Sequence, residues 1–189
     1  MIKAFKHFNT ITKHRHEVIR NCRKSGILWQ GLFHDLSKYS PTEFFQGAKY
    51  YQGTRSPNDK AREELGYAKA WMHHMGRNRH HFEYWRDYSP VHKGCMMPVK
   101  MPLNYVVEMF CDRVAASKIY QGKDYTDASA YDYFMRGKPR REGMIHKETS
   151  DTLESLLLML KDEGEEKTFA HIRKLIKDFK NDKKRNPNC

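Results

Sequence analysis

Three stretches of this chain put metal-ligating side chains where an apolar pattern calls for hydrophobes. His14 follows Ile11 by three residues and precedes Val18 by four, on the buried stripe of an expected helix. His16, about 200° further around that helix, is expected to face water. The pair His34-Asp35 sits between Leu32 and Leu36 in Gly31-Leu32-Phe33-His34-Asp35-Leu36-Ser37-Lys38. Asp112 is embedded in the apolar run from Tyr105 to Ala116. A carboxylate in such a helix carries a large desolvation cost unless a cation or an ion pair compensates it. Singly, each residue has a plainer explanation: a hydrogen-bonded core histidine, or Asp112 paired with Arg113 or Arg15. As a set, imidazoles and carboxylates suit Mn, Fe, Zn, Ni or Co better than Ca or Mg.

A further cluster lies between Trp71 and Trp85, where His73-His74 and His80-His81 place four histidines in nine residues. His74 shares a side with Tyr67 and Trp71, nearer the apolar face than His73. His80 and His81 fall beyond the break expected at Gly76, so helix geometry does not choose between them. Arg77 and Arg79 alternate with rings that could stack on bases, which is the competing, nucleic-acid reading. Metal binding is favoured because nucleic-acid surfaces draw on Lys and Arg more than on paired histidines.

The elements that must position these residues read as helices almost throughout. Ile11, His14, Val18 and Cys22 recur at spacings of three and four, with Gly26 as a stop. A second helix is expected over Leu28–Lys38, and Ser40-Pro41-Thr42-Glu43 reads as a capping box opening a third. Ser56-Pro57 starts a helix carrying Leu65, Ala68, Met72 and Met75 on one face and ending near Gly76. The stretch Gly76–Lys100 is irregular, and an apolar helix runs from Leu103 to about Tyr120. Thr149–Lys161 and a segment with Phe169, Ile172, Leu175, Ile176 and Phe179 close the pattern. No run of alternating residues marks a strand. The expectation is an all-α, single-domain bundle over residues 1–181, followed by a basic flexible tail at 182–189.

Composition narrows the function classes. The 189 residues carry a net charge of +12, and 13% are aromatic, too many for a disordered chain. The charge is concentrated at the ends: residues 1–27 hold seven Lys/Arg against Glu17, and residues 170–189 hold seven against Asp178 and Asp182. Such ends could contact nucleic acid or an anionic substrate; the plainer reading is a solvated helix face and a frayed tail. The longest apolar run is Leu156–Leu160, too short for a bilayer, and Met1–Lys6 lacks the apolar stretch of a secretion signal. Cys22, Cys95, Cys111 and Cys189 form no CxxC pair, so a cytoplasmic chain with reduced thiols is expected.

The order His14, His34-Asp35, histidine cluster, Asp112 resembles the HD-domain superfamily of metal-dependent phosphohydrolases. His34-Asp35-Leu36-Ser37-Lys38 looks like its HDxGK variant, with Ser37 in place of glycine. His80-His81, Met101-Pro102 and Cys111–Ala116 are similar to the later part of the HD-GYP branch. More closely, the segments Thr12–Cys22, Gly31–Phe45 and Trp71–Trp85 resemble a bacterial and phage family of unknown function thought to carry this fold. The resemblance covers about residues 10–120. It implies an HD-like helical bundle in which His14, His34, Asp35 and Asp112 bind one divalent transition metal. In binuclear relatives, further histidines hold a second, for which His74, His80 and His81 are the candidates. The chain departs from those relatives in spacing, since His74 and His80 lie only six apart, so one metal is the firmer expectation.

The chemistry so implied is hydrolysis of a phosphate ester, a nucleotide or related small molecule, by metal-activated water. Asp35 would act as ligand and proton acceptor. Lys38 would neutralise phosphoryl charge, and Arg77, Asn78 and Trp85 would contact the substrate. Two rivals stand beside it: an HD-fold enzyme that uses two irons to activate dioxygen, and a non-catalytic, metal-stabilised nucleic-acid-binding protein.

Overall fold

The fold is built around helix α6 (Leu103–Gln121), where Val106, Val107, Glu108, Met109, Phe110, Cys111, Val114 and Ala115 are all buried. A helix apolar on nearly every side belongs inside a bundle. Here it packs between α1 (Ile2–Lys24) and α8 (Lys147–Arg185). The computed structural model describes residues 2–185. The main core joins Val18 and Cys22 of α1 and Phe110 and Val114 of α6 to Leu153, Leu157, Leu160, Ile172 and Ile176 of α8. Phe134 comes from α7 (Ser129–Gly137), a helix the sequence pattern did not mark. A smaller core of Tyr50, Ala61, Ala68 and Trp71 lies among α3 (Pro41–Lys49), α4 (Pro57–Leu65) and α5 (Lys69–Met75).

Helix α1 buries His7, Ile11, His14, Val18, Asn21 and Cys22 along one stripe, and His16 is exposed as expected. It stops at Gly26 (φ 79°), where Ile27 N–H donates to Cys22 O at 3.0 Å and closes the last turn. The segment Leu28–Lys38 is not one helix. Helix α2 covers only Leu28–Phe33. His34 is extended (φ −55°, ψ 128°), Asp35 is left-handed (φ 55°, ψ 24°), and a 3-10 turn follows over Leu36–Tyr39. The metal-ligating dipeptide therefore lies at a break, not within a helix.

Three further expectations change. The capping box does not form: Ser40 makes no side-chain cap bond, and Glu43 turns away from the helix start to two histidines. The helix expected from Ser56 to Gly76 divides at Gly66 (φ 78°) into α4 and α5. The irregular stretch contains a two-stranded antiparallel ribbon, β1 (Arg86–Tyr88) and β2 (Met96–Pro98), with Asp87 opposite Met97. Helix α8 bends at Gly164 (φ 82°, ψ 173°) and continues past Asn181 to Arg185. The remainder of the expected tail, 186–189, lies outside the described residues. No helix among the described residues is long and apolar enough to cross a membrane. The fold is all-α in one domain.

Candidate metal centre

Five segments converge beneath one pocket. Helix α1 brings His14, the break after α2 brings His34 and Asp35, and α5 brings His74. The turn after Gly76 brings His80 and His81, and α6 brings Asp112. The left-handed backbone at Asp35 turns its carboxylate back into the bundle, so that two ligand sets share it. Its Oδ2 faces His34 Nε2 at 3.1 Å and His14 Nε2 at 3.9 Å. Asp112 Oδ1 completes that set, 3.0 Å from His14 Nε2 and 3.5 Å from His34 Nε2. Asp35 Oδ1, the other oxygen of the shared carboxylate, faces His74 Nε2 at 3.2 Å and His80 Nε2 at 3.5 Å. His81 Nε2 stands 2.9 Å from His74 Nε2 and joins this second set. The six-residue spacing of His74 and His80 is thus no obstacle. The helix ends at Met75 and the chain folds back, with the N–H groups of Arg77 and Asn78 both donating to His74 O.

Two glutamates behind the rings set their direction. Glu108 Oε1 accepts from His34 Nδ1 at 3.0 Å and lies 3.3 Å from His80 Nδ1. Glu43 Oε2 accepts from His74 Nδ1 at 2.8 Å, and its Oε1 takes His73 Nδ1 at 2.6 Å. An ionised carboxylate only accepts, so Nδ1 carries the proton on these rings and Nε2 points inward. Burial alone would raise the pKa of Glu108, but hydrogen bonds from His34 and His80 hold it down at about 2. His73 is therefore a partner of Glu43 and not a member of either set. Ser37 Oγ accepts from Asn78 Nδ2 at 2.9 Å, and Asn78 also bonds His74 O at 2.8 Å. Asn78 braces His74; it is a support beneath the site.

The electrostatics fit cation binding. Burial would push Asp35 up, yet His34, Lys38 and His74 hold its pKa well below the carboxylate range. Asp112 is likewise held down, against burial, by His14 and His34. Burial and Lys38 lower His14, whereas in His34 burial is overcome by Asp35, Asp112 and Glu108 acting together, which raise it. Even so, His14 Nε2, His34 Nε2, His80 Nε2 and both oxygens of Asp35 are buried without an aligned hydrogen bond, although the Lys38 ammonium lies beside Asp35 Oδ2. Buried polar atoms are seldom left unmatched. Five of them turned toward one another, within 4.8 Å in each set, are what a divalent cation satisfies.

Above the sets opens a pocket of about 560 Å3, lined on the cation side by Lys38 and Arg113 and by the rings of Tyr51, Trp71, Tyr120 and Tyr133. Lys38 Nζ is 2.6 Å from Asp35 Oδ2. Three expected substrate contacts, Asn78 already among them, do not line it. Arg77 is exposed and its guanidinium donates to His73 O at 3.2 Å. Trp85 donates to Arg79 O at 2.7 Å and packs against Tyr105, behind the ribbon. Both lie beyond the break at Gly76, where helical spacing no longer predicts direction. The sequence reading also passed over Glu43, Glu108 and Arg113. Glu108 carried a signal, being a carboxylate in an apolar run one turn before Asp112.

No curated protein and no solved structure matches this chain. Residues 3–159, which include every ligand of both sets, match the model described as "Family of unknown function (DUF5662)", and the chain belongs to that family.

Proposed function

We propose that this protein is a metal-dependent phosphohydrolase acting on a phosphate ester of a small molecule, with a nucleotide the chemistry its aromatic pocket suits. The observation that carries the reading is Asp35, whose two oxygens face two donor sets, with His14 and Asp112 of one and His74 and His81 of the other lining one pocket. His14, His34 and Asp112 would hold one ion, and His74, His80 and His81 the other, with Asp35 between them. A pair of divalent ions so held supplies an activated water and a Lewis acid for phosphoryl oxygens. Glu108 and Glu43 keep the rings aimed, so the donors need no rearrangement when substrate arrives. Lys38 places a positive charge at the pocket floor, and Asp35 beside it raises its pKa against burial. That charge suits the developing charge of a phosphoryl group. Trp71 and Tyr51 offer faces on which a base can stack. The resemblance of the His14, His34-Asp35, Asp112 order to HD-domain phosphohydrolases supports the same reading.

The test is to load the protein in turn with Mn, Fe, Co, Ni and Zn and to assay phosphate release from 4-nitrophenyl phosphate and a nucleotide panel. Release should require metal, stop with a chelator and be lost in Asp35→Asn. No release with any of these metals overturns the reading. The donor set of histidines and aspartates without cysteine also suits iron, which keeps dioxygen chemistry as the second reading. An iron-loaded protein that consumes dioxygen, shows an absorbance band near the ultraviolet edge and releases no phosphate would put it first.

A further inference from the structure

Arg113 follows Asp112 on α6 but serves a different part of the pocket. Asp112 turns to His14 and His34, leaving its neighbour without that carboxylate as a partner. The Arg113 guanidinium lies over the Phe134 ring, 5.8 Å from its centre, and lines the pocket with Glu83 and Tyr133. Arg113 Nε is buried with no hydrogen-bond partner, and the side chain forms no salt bridge among the described residues. The nearby carboxylate does not relieve it, because Glu83 Oε2 is itself buried and unpartnered. A second guanidinium, Arg141, stacks on the same Phe134 ring at 4.7 Å and donates to Phe134 O. Two guanidinium groups thus share one ring without an ion pair between them and a carboxylate, and one of them opens on the pocket. A half-buried guanidinium with no paired carboxylate keeps donors free for a ligand, and its planar fork matches a phosphate or carboxylate.

We propose that Arg113 is a substrate-binding residue for a second anionic group, so that the substrate carries another phosphate beyond the one at the metal centre. This rests on the phosphohydrolase reading for the first phosphate. The ligand class follows from the fold: Asp112 belongs to the first donor set, and Arg113 offers its donors one residue further along the same helix. A substrate with a single phosphate would leave the Arg113 guanidinium without an anionic partner, whereas one with two phosphates supplies it. Glu83 then opposes the second group and limits how tightly it is held.

Two probes that cannot be hydrolysed test this without relying on turnover: methylphosphonate and methylenediphosphonate, titrated calorimetrically into the full-length protein with and without Mn2+. Wild type should prefer the diphosphonate. Arg113→Gln should weaken diphosphonate binding roughly 10- to 100-fold while leaving methylphosphonate binding and metal content unchanged. Glu83→Gln, which keeps Arg113 and removes the opposing charge, should strengthen diphosphonate binding a few-fold. The proposal is overturned if wild type shows no preference, if Arg113→Gln keeps it, or if that variant weakens both probes equally. Should Arg113→Gln fail to fold, unchanged or weaker diphosphonate binding in Glu83→Gln is sufficient to reject it. A wild type that prefers the diphosphonate but releases no phosphate from any ester would instead overturn the hydrolase reading and leave the second anion site standing.

Discussion

Glu108 and Asp112 lie one turn apart on α6, so a single helix face supplies both a ligand carboxylate and the carboxylate that aims two rings at the same centre. Glu108→Gln keeps the shape but can no longer draw the protons of both Nδ1 atoms toward itself. Metal affinity should fall about 10- to 100-fold with the number of ions bound unchanged at saturation, as read by competition with a chelating dye. Asp35→Ala, in contrast, removes the one residue common to both sets and should cost both ions. His81→Ala should cost no more than one, and equal metal content in wild type and Asp35→Ala would remove the shared-carboxylate assignment. His7 behaves differently, since it is buried outside either set with its Nδ1 unpartnered. Burial, reinforced by Lys38, lowers its pKa from 6.5 to about 4. Unfolding frees it to take a proton, so its contribution is fully present above about 6.5 and is lost as pH falls toward 4. His7→Gln should therefore flatten the fall of melting temperature across that window by the equivalent of roughly 2–4 kcal/mol. Parallel curves for variant and wild type would show that His7 is not the group responsible.

The element that matters most to the centre is the short α2, because where it ends decides where Asp35 points. Gly31 lies against α1 so closely that an added Cβ would come within 2.6 Å of Cys22 Cβ and 3.3 Å of Ile19 Cα. Neither atom is the end of a flexible side chain, so Gly31→Ala must push α2 away from α1. The expected cost is about 1–3 kcal/mol in denaturant unfolding. Because His34 and Asp35 follow within four residues, metal affinity should weaken as well. A variant that loses stability yet binds metal as wild type does would show that α2 does not position the dipeptide. The same segment explains what could be read in advance. Helices α1 and α6 were legible because their buried residues recur at helical spacing, and their ligands stood out as polar intruders in that pattern. The break at His34 was not, because Leu28, Leu32 and Leu36 keep helical spacing across it. Glu43 was read as a cap, and its partners His73 and His74 lie 30 residues away where no local rule reaches. The ribbon has three residues in each strand, too few for alternation to register.

At the scale of the whole molecule, the two basic ends of the sequence meet: Arg173 donates to Lys24 O at 3.0 Å and Lys180 to Gly26 O at 2.8 Å. These bonds involve residues before Asn181, so truncation after Asn181 should leave the proposed phosphate release intact; its loss in a folded truncation would place the end of α8 in the working site. The candidate metal centre would tie the molecule together more strongly, since its donor residues come from α1, the α2–α3 connection, α5, the following turn and α6. An ion bound only by the folded protein stabilises it by about 3–4 kcal/mol at 100 to 1,000 times its dissociation constant. At this chain length that corresponds to roughly 6–16 °C in melting temperature. Chelation should lower the melting temperature of wild type by that order, as the buried carboxylates of Asp35 and Asp112 lose their cation. Asp112→Asn keeps the shape and the contact with His14 but contributes no charge to the first set. Its metal is held more weakly, so the chelator shift should be much smaller than in wild type. Were Asp112 instead the structural partner of Arg113, the substitution would destabilise the protein by the same amount with or without chelator. Its place 3.0 Å from His14 and 3.5 Å from His34 argues for the first outcome. Identical chelator shifts in the two proteins would rule out Asp112 as a ligand, and no shift in either would rule out the centre itself.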